Sequence, residues 1–441
     1  MEPQFKGMET PYYPTYKESV SWLYSLQKFG IKFGLSKTSN LLKTFGNPHI
    51  GRRYIHIAGT NGKGSVGAML ESVLMRSGLK VGFYSSPHLV SFTERFRING
   101  ELIKKDTAAS LIEELKNCID LREPPTFFEF TTAMALIYFS RNNIDIGIIE
   151  VGMGGRLDAT NVITPVVSVI TTIGLEHQKF LGNTILDIAR EKAGIIKERV
   201  DLATAVNQPF VIRLFESLCR EKTALFWRVG HDARYRRLQS GLLGYYGMSS
   251  RYKDLRLGLR GRFQYRNAAL TLLTLEILKK RGFSISDKAI RSGLACPAWP
   301  GRLEQVSSNP TIILDGAHNI SGMRSLAYSI TNDFDFQKLI LVLGIMDDKD
   351  ITGMLKIILP YAGRVIYTKP NYYRAADPCY LKDMSRGLGK SGEIYSSLPA
   401  AINRARNLAD KRDLILITGS LFTVGEAKSY LDPKGYPAED I

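Results

Sequence analysis

One stretch of the chain constrains its architecture more than any other. Tyr54-Ile-His-Ile-Ala58 is followed by Gly59-Thr60-Asn61-Gly62-Lys63-Gly64-Ser65 and then by a helical pattern from Val66 to Ser77. A short strand, a glycine-rich turn and a helix form a strand–loop–helix unit, the context in which backbone amides converge on a phosphate. Glycines let those amides turn inward, and the helix N-terminus adds its dipole. Lys63 is placed to neutralise terminal phosphate charge, and the Ser65 hydroxyl to meet magnesium. The spacing departs from the usual loop. Only two residues separate Gly59 from Gly62, and Gly64 intervenes between Lys63 and Ser65. A glycine-rich turn can be purely structural, but lysine, serine and the flanking elements together favour phosphate binding.

The rest of the chain continues this rhythm. Strands are expected at Val81–Tyr84, Ile144–Val151 and Val166–Thr172, and helices at Phe130–Phe139, Ile185–Ile196 and Asn267–Arg281. Leu225 to Leu259 mixes aromatics, glycines and partial alternation, which reads as antiparallel strands at a sheet edge. Cys296-Pro-Ala-Trp-Pro-Gly301 carries two prolines and a glycine and suggests a domain boundary. Beyond it, Thr311–Leu314, Leu339–Leu343, Arg364–Thr368 and Leu414–Thr418 again read as strands. The expected fold is therefore α/β, a mainly parallel sheet followed by a smaller Rossmann-like domain, divided as 1–297 and 298–441. A cleft between two such domains is a common ligand site.

Bulk properties exclude little but are consistent. No apolar run approaches the ~18 residues of a membrane span. The stretch MEPQFKGMETPYYP has two acids and no apolar core, unlike a signal peptide. Cys118, Cys219, Cys296 and Cys379 are scattered, with no CxxC pair, which fits a reducing cytoplasm rather than a disulfide framework or a zinc site. The formal charge of +17 raises nucleic-acid binding, yet Arg228–Arg237 and Arg251–Arg262 carry no motif for it. An anionic small substrate accounts for the charge equally well.

Ligands of open parallel sheets bind at the carboxyl ends of the strands. Glu150 ends such a strand and precedes Gly152-Met-Gly-Gly155, so it is a candidate magnesium ligand. His177, Lys192 and Ser86 carry no functional signal from local chemistry alone. A lone histidine is more often structural, a helix lysine is usually solvated, and Ser86 reads as a turn residue.

Taken together, HIAGTNGKGS (56–65), YSSPHLVSFTERFRING (84–100), FFEFTTAMAL (127–136), EVGMGGRLDATN (150–161), TTIGLEHQKFLG (171–182), EKAGIIK (191–197), WPGRLE (299–304), LDGAHN (314–319) and TGSLFTVGEA (418–427) resemble the folylpolyglutamate synthase and dihydrofolate synthase family of the Mur ligase superfamily. The resemblance runs from about Phe33 to Ala427 and implies roles. Lys63 and the loop amides would hold ATP phosphates. Ser65, Ser86, Glu150 and His177 would bind magnesium at two positions, with Lys192 carbamylated and joining them. Asn267 would contact adenine, Arg302 the phosphates, and Asp315 and His318 the ribose and the reacting phosphate. Gly155-Arg-Leu-Asp158-Ala159-Thr resembles the bifunctional bacterial form, in which Asp158, Ala159 and Thr131 would line a pteroate pocket. The Phe127-Phe128 pair could pack on a pterin or be core aromatics. Near Gly34-Leu-Ser-Lys37 many relatives carry an arginine that is absent here, with Lys37 as the nearest substitute.

The implied chemistry is ATP-dependent joining of L-glutamate to dihydropteroate and to the γ-carboxyl of tetrahydrofolate through an acyl-phosphate, by a monomer acting on small molecules alone. Trp299-Pro300-Gly301 would be the hinge of domain closure. The alternatives are polyglutamylation only, another Mur-type amide ligase, or a P-loop NTPase switch. A cell-wall ligase would need an extra N-terminal domain, for which the chain before Gly59 is short.

Overall fold

The computed structural model describes residues 14–30 and 32–439. The stretch read above as unlike a leader lies almost wholly outside them. The strand–loop–helix unit is present as β1 (Tyr54–Ala58) and the helix Lys63–Arg76. That helix begins at Lys63, ahead of the apolar pattern, so Lys63, Gly64 and Ser65 form its first turn. Gly62 caps it at φ 93°, a left-handed conformation suited to glycine.

β1 is buried along its whole length near the middle of an eight-stranded sheet. Its parallel neighbours are β5 (Ile146–Glu150) and β6 (Val167–Ile170). Beyond β5 lies β2 (Val81–Tyr84), then the short antiparallel β3 (Phe96–Ile98) and β4 (Glu101–Leu102). Beyond β6 lie β7 (Leu202–Thr204) and β8 (Phe226–Arg228), both parallel. Ile57 is level with Glu150 and Val169, so the loop, Glu150 and the segment after Ile170 emerge at one sheet edge.

The pleat sends alternate side chains of β1 to opposite faces. Ile55 and Ile57 pack with Val66, Leu70 and Val73 of the loop helix and with Leu270, Leu273 and Ile277 of the helix Phe263–Lys280. The other face is covered by the helix Phe127–Arg141. Thr126 starts that helix with a reciprocal cap. Its hydroxyl accepts from the Glu129 amide, and its own amide donates to the Glu129 carboxylate at 2.7 Å.

The stretch Leu225–Leu259 differs from its sequence reading. β8 continues the main sheet in parallel. β9 (Arg234–Arg237), β10 (Leu243–Tyr246) and β11 (Arg251–Leu255) form a separate antiparallel sheet instead of an edge. Alternation identifies strands but not the sheet they join.

After residues 296–303 a second sheet has the order β12-β13-β17-β14-β15-β16. Its strands are β12 (Glu304–Ser308), β13 (Thr311–Asp315), β14 (Leu339–Leu343), β15 (Arg364–Tyr367), β16 (Glu393–Ile394) and β17 (Leu414–Thr418). All pairings are parallel except β12 with β13. Among the described residues no helix is long and apolar enough to cross a membrane. The four cysteines are free.

Candidate active site

The carboxyl ends of the two sheets enclose a cavity of about 170 Å³. The first domain contributes Thr60, Asn61, Gly62, Lys63, Gly64, Ser65, Ser86, Glu150, His177, Lys192 and Asn267 to its walls. The second contributes Arg302, Asp315 and His318. These residues, scattered over more than 250 positions of sequence, meet because parallel strands end together.

Gly59 lies beneath the loop. Its carbonyl accepts from Lys63 Nζ and from Lys192 Nζ, each at 3.0 Å. Lys192 is 3 % exposed. Burial, reinforced by the nearby Lys63 charge, lowers its amine to about 7, against the pull of Glu176 and Asp158. Burial also lowers His177 to about 4, which keeps its imidazole neutral and able to bind a metal. Burial raises the Glu150 carboxyl, while Lys63 and Arg302 pull the other way. A divalent cation beside it would reverse the balance.

Ser65, Ser86, Glu150 and His177 offer two hydroxyls, one carboxylate and one neutral imidazole. Among the described residues no three His, Cys, Asp or Glu side chains gather as a closed cage. An open, carboxylate-poor set suits magnesium, which takes one or two carboxylates and completes its shell with phosphates and water. The residues present therefore fit the ion.

Asn267 donates to Gln264 at 2.9 Å, and Gln264 to the Ser65 hydroxyl at 3.3 Å. Arg302 donates to the Gly316 carbonyl at 3.4 Å. Asp315 accepts the Leu303 and Ala317 amides, both at 2.9 Å, so its carboxylate fixes the linker to the end of β13. His318 bridges the domains, with Nε2 3.2 Å from the Glu176 carboxylate and Nδ1 2.8 Å from the Gly316 carbonyl. Although burial opposes it, the His318 bond and the nearby Lys63 charge hold Glu176 far below the usual carboxylate range.

Glu176, Gln264 and Asn319 carry no functional signal in the sequence reading above. Gln264 sits one helical turn before Asn267, so an i, i+3 spacing could have found it. Glu176 and Asn319 each adjoin a named histidine, but their contacts cross the domains.

Thr131, Asp158 and Ala159 are buried and line neither this cavity nor the larger one beside it. Thr131 bonds the Tyr84 hydroxyl at 2.9 Å. Asp158 accepts the Met153 amide at 2.8 Å and the Thr160 amide at 3.0 Å. The Phe128 ring rests on Gly152 of the cavity wall and lies 6.1 Å from the ring of Tyr84. Phe127 stacks on Tyr24 at 5.4 Å as a core aromatic. Lys37 is paired with Glu123 at 3.0 Å on the surface.

A second cavity of about 440 Å³ meets the first at Ser86, Glu150 and Arg302. Leu89, Leu102, Trp299 and Pro300 make it partly apolar, and Tyr436 and Pro437 add the C-terminal segment to its wall. Glu439 ties that segment down through the Phe92 amide at 3.0 Å and the Tyr16 hydroxyl at 3.0 Å.

The two α/β domains, with a glycine-rich loop facing the cleft between them, are those of a Mur-type ligase. The Mur ligase middle domain matches residues 57–275, and the Mur ligase glutamate ligase domain matches 301–421. The chain is 36% identical over 432 residues to the dihydrofolate synthase/folylpolyglutamate synthase of Bacillus subtilis, covering 95% of this chain and 100% of that one. The solved Escherichia coli FolC in complex with DHPP and ADP is 32% identical with a TM-score of 0.86, covering 96% and 100%. A Yersinia pestis bifunctional folylpolyglutamate synthase/dihydrofolate synthase, complexed with AMPPNP and Mn, is 30% identical with a TM-score of 0.83, covering 95% and 99%. The chain belongs to the dihydrofolate synthase/folylpolyglutamate synthase family.

Proposed function

We propose that the chain joins L-glutamate to dihydropteroate, and to the γ-carboxyl of tetrahydrofolate, at the expense of ATP. The observation that carries this reading is the meeting of two cavities at Ser86, Glu150 and Arg302, one walled by the phosphate loop and the other partly apolar. A relative solved with ADP and DHPP together supports the same pairing of ligands, and one solved with AMPPNP and Mn supports the nucleotide and metal side.

A carboxylate is a poor acylating agent because its leaving group would be oxide. Attack of the acid on the γ-phosphorus releases ADP and gives an acyl-phosphate. The glutamate amine then attacks the acyl carbon, loses its proton and expels phosphate, leaving an amide. Lys63 and the amides of 60–65 hold the phosphates, and Arg302 meets them from the second domain. Ser65, Ser86, Glu150 and His177 would hold magnesium, which supplies further neutralisation of phosphate charge. His318 and Glu176 close the cleft at the reacting end and exclude water from the acyl-phosphate.

Lys192 completes the metal side as a carbamate, formed when its neutral amine attacks carbon dioxide and loses a proton. This turns a buried cation into an anion facing the ligand set. Pterin recognition falls to Thr131, Asp158 and Ala159 behind Phe128, whose ring must turn aside to admit it. The deciding experiment is ADP release with magnesium and L-glutamate, comparing 7,8-dihydropteroate with tetrahydrofolate. Turnover with both is expected. Turnover with tetrahydrofolate alone would leave polyglutamylation only, and turnover with neither would overturn the folate reading.

A further inference from the structure

We infer that Arg97 and Trp299 are positioning residues of the ligation: they fasten the start of the interdomain linker to the phosphate-loop helix, so that a shift of the loop helix is passed to Arg302. The inference rests on the nucleotide reading of the loop.

The helix Lys63–Arg76 presents Gly64 and, two turns later, Glu71 on one face. The Trp299 indole lies directly on Gly64, so that any Cβ there would penetrate the ring. Its neighbouring ring is Phe83, stacked at 5.5 Å and 25°. The Arg97 guanidinium covers both rings, 4.9 Å from Phe83 and 5.0 Å from Trp299. Arg97 also donates to the Ala298 carbonyl at 3.4 Å and pairs with Glu71. Both charges are buried. A buried ion pair is seldom the most stable filling of such a space; apolar residues of similar volume usually do as well or better. What the pair adds is direction, because the planar guanidinium fixes ring, carbonyl and carboxylate together.

Trp299 therefore belongs to the first domain, and the hinge expected at Trp299-Pro300-Gly301 begins after it. The backbone turns at Gly301 (φ 70°) and Leu303 (φ 47°), the residues that flank Arg302. Leu303 is then held by Asp315, and the Gly316 amide by the Gly301 carbonyl at 2.9 Å. Three residues of chain reach at most about 10 Å, so a shift of the indole is passed to Arg302. Packed interiors transmit such shifts because they have no slack. The clamp also explains why the loop carries glycine at 64, the feature that sets its spacing apart: a side chain there would expel Trp299.

Trp22, Trp227 and Trp299 are the three tryptophans of the chain. In a W22F/W227F variant, Trp299 is the sole indole reporter. Saturation with magnesium and a non-hydrolysable ATP analogue is expected to shift its emission. Unchanged emission, with binding verified by calorimetry, would overturn the inference. Failure to bind any nucleotide would overturn the ATP reading and this one with it. Removing both charges together, in E71L/R97L, leaves no unpaired buried ion. This variant is expected to keep the nucleotide dissociation constant within about threefold while kcat falls on the order of 10- to 100-fold. W299L should show the same split. Wild-type kcat in both would refute the clamp, as would equal losses of affinity and kcat.

Discussion

Asn61 of the phosphate loop and Asn319 of the second domain exchange two amide hydrogen bonds, at 3.2 and 3.1 Å. Asn319 also donates to Glu176 at 3.1 Å, the carboxylate that meets His318. The glycine-rich loop of the first domain is thus in direct contact with the second domain.

This contact has a measurable consequence. Asn61→Ala and Asn319→Ala should each lower kcat/KM for ATP on the order of tenfold. The double variant should lose less than the product of the two, since either change already breaks the pair. Strictly multiplicative losses would show that the amides act independently.

Lys63 and Glu150 face the same cavity from adjacent strand ends. Lys63→Ala and Glu150→Gln should each reduce kcat/KM by at least about 10³, as removal of a charge aimed at a developing transition state does. Steady-state assays at saturating glutamate decide this, and near wild-type rates in either variant would refute the site.

Lys192 and Lys63 share the Gly59 carbonyl, an arrangement that brings two cations together in the protein interior. Carbamylation of Lys192, as proposed, would relieve it. Isotopically labelled bicarbonate should therefore give a carbamate resonance in the native protein that is absent from Lys192→Arg. Full activity of that variant, without the resonance, would show that the carbamate is dispensable.

His56 gives a pH prediction away from the metal side. Its ring is fully buried in β1, with Nε2 2.9 Å from the Thr160 hydroxyl. Burial, helped by Lys197, lowers it to about 3 from an ordinary 6.5. Between those values the unfolded chain binds a proton that the native protein does not. Stability contributed by the neutral ring is complete above 6.5 and declines as pH falls towards 3, by up to about 1.4 kcal/mol per pH unit. Denaturant titrations from pH 7 to 4.5 should show a slope of this sign, and His56→Gln should reduce it.

What could be read from the sequence was local. The loop, its flanking strand and helix, and Glu150 follow from period and spacing within a dozen residues. Contacts that join distant segments left no such trace. Glu176 and Asn319 acquire their roles across the domain cleft, and Arg97 reaches Ala298 over 201 positions. Trp299 reads as part of a flexible linker because two prolines and a glycine surround it, and its clamp is invisible until Phe83 and Arg97 are in place. The strands after Leu225 were misplaced for the same reason, since alternation carries no information about which edge a strand pairs with.

Asp158 tests the choice of acid. Its carboxylate accepts the Met153 and Thr160 amides, so Asp158→Asn should cost about 1–3 kcal/mol of stability whatever the substrate. If the residue also meets the pterin once Phe128 has turned, one lost hydrogen bond to dihydropteroate adds about 1.4 kcal/mol to that substrate alone, roughly a tenfold change. The ratio of kcat/KM for dihydropteroate to that for tetrahydrofolate should then fall about tenfold in the variant, measured at a temperature where both proteins remain folded. Phe128→Ala, which removes the covering ring while leaving Asp158 its partners, should change the same ratio without a comparable loss at the amide cap. An unaltered ratio in both variants would confine Thr131, Asp158 and Ala159 to holding the 152–160 turn, and the pterin would have to be sought along the second cavity.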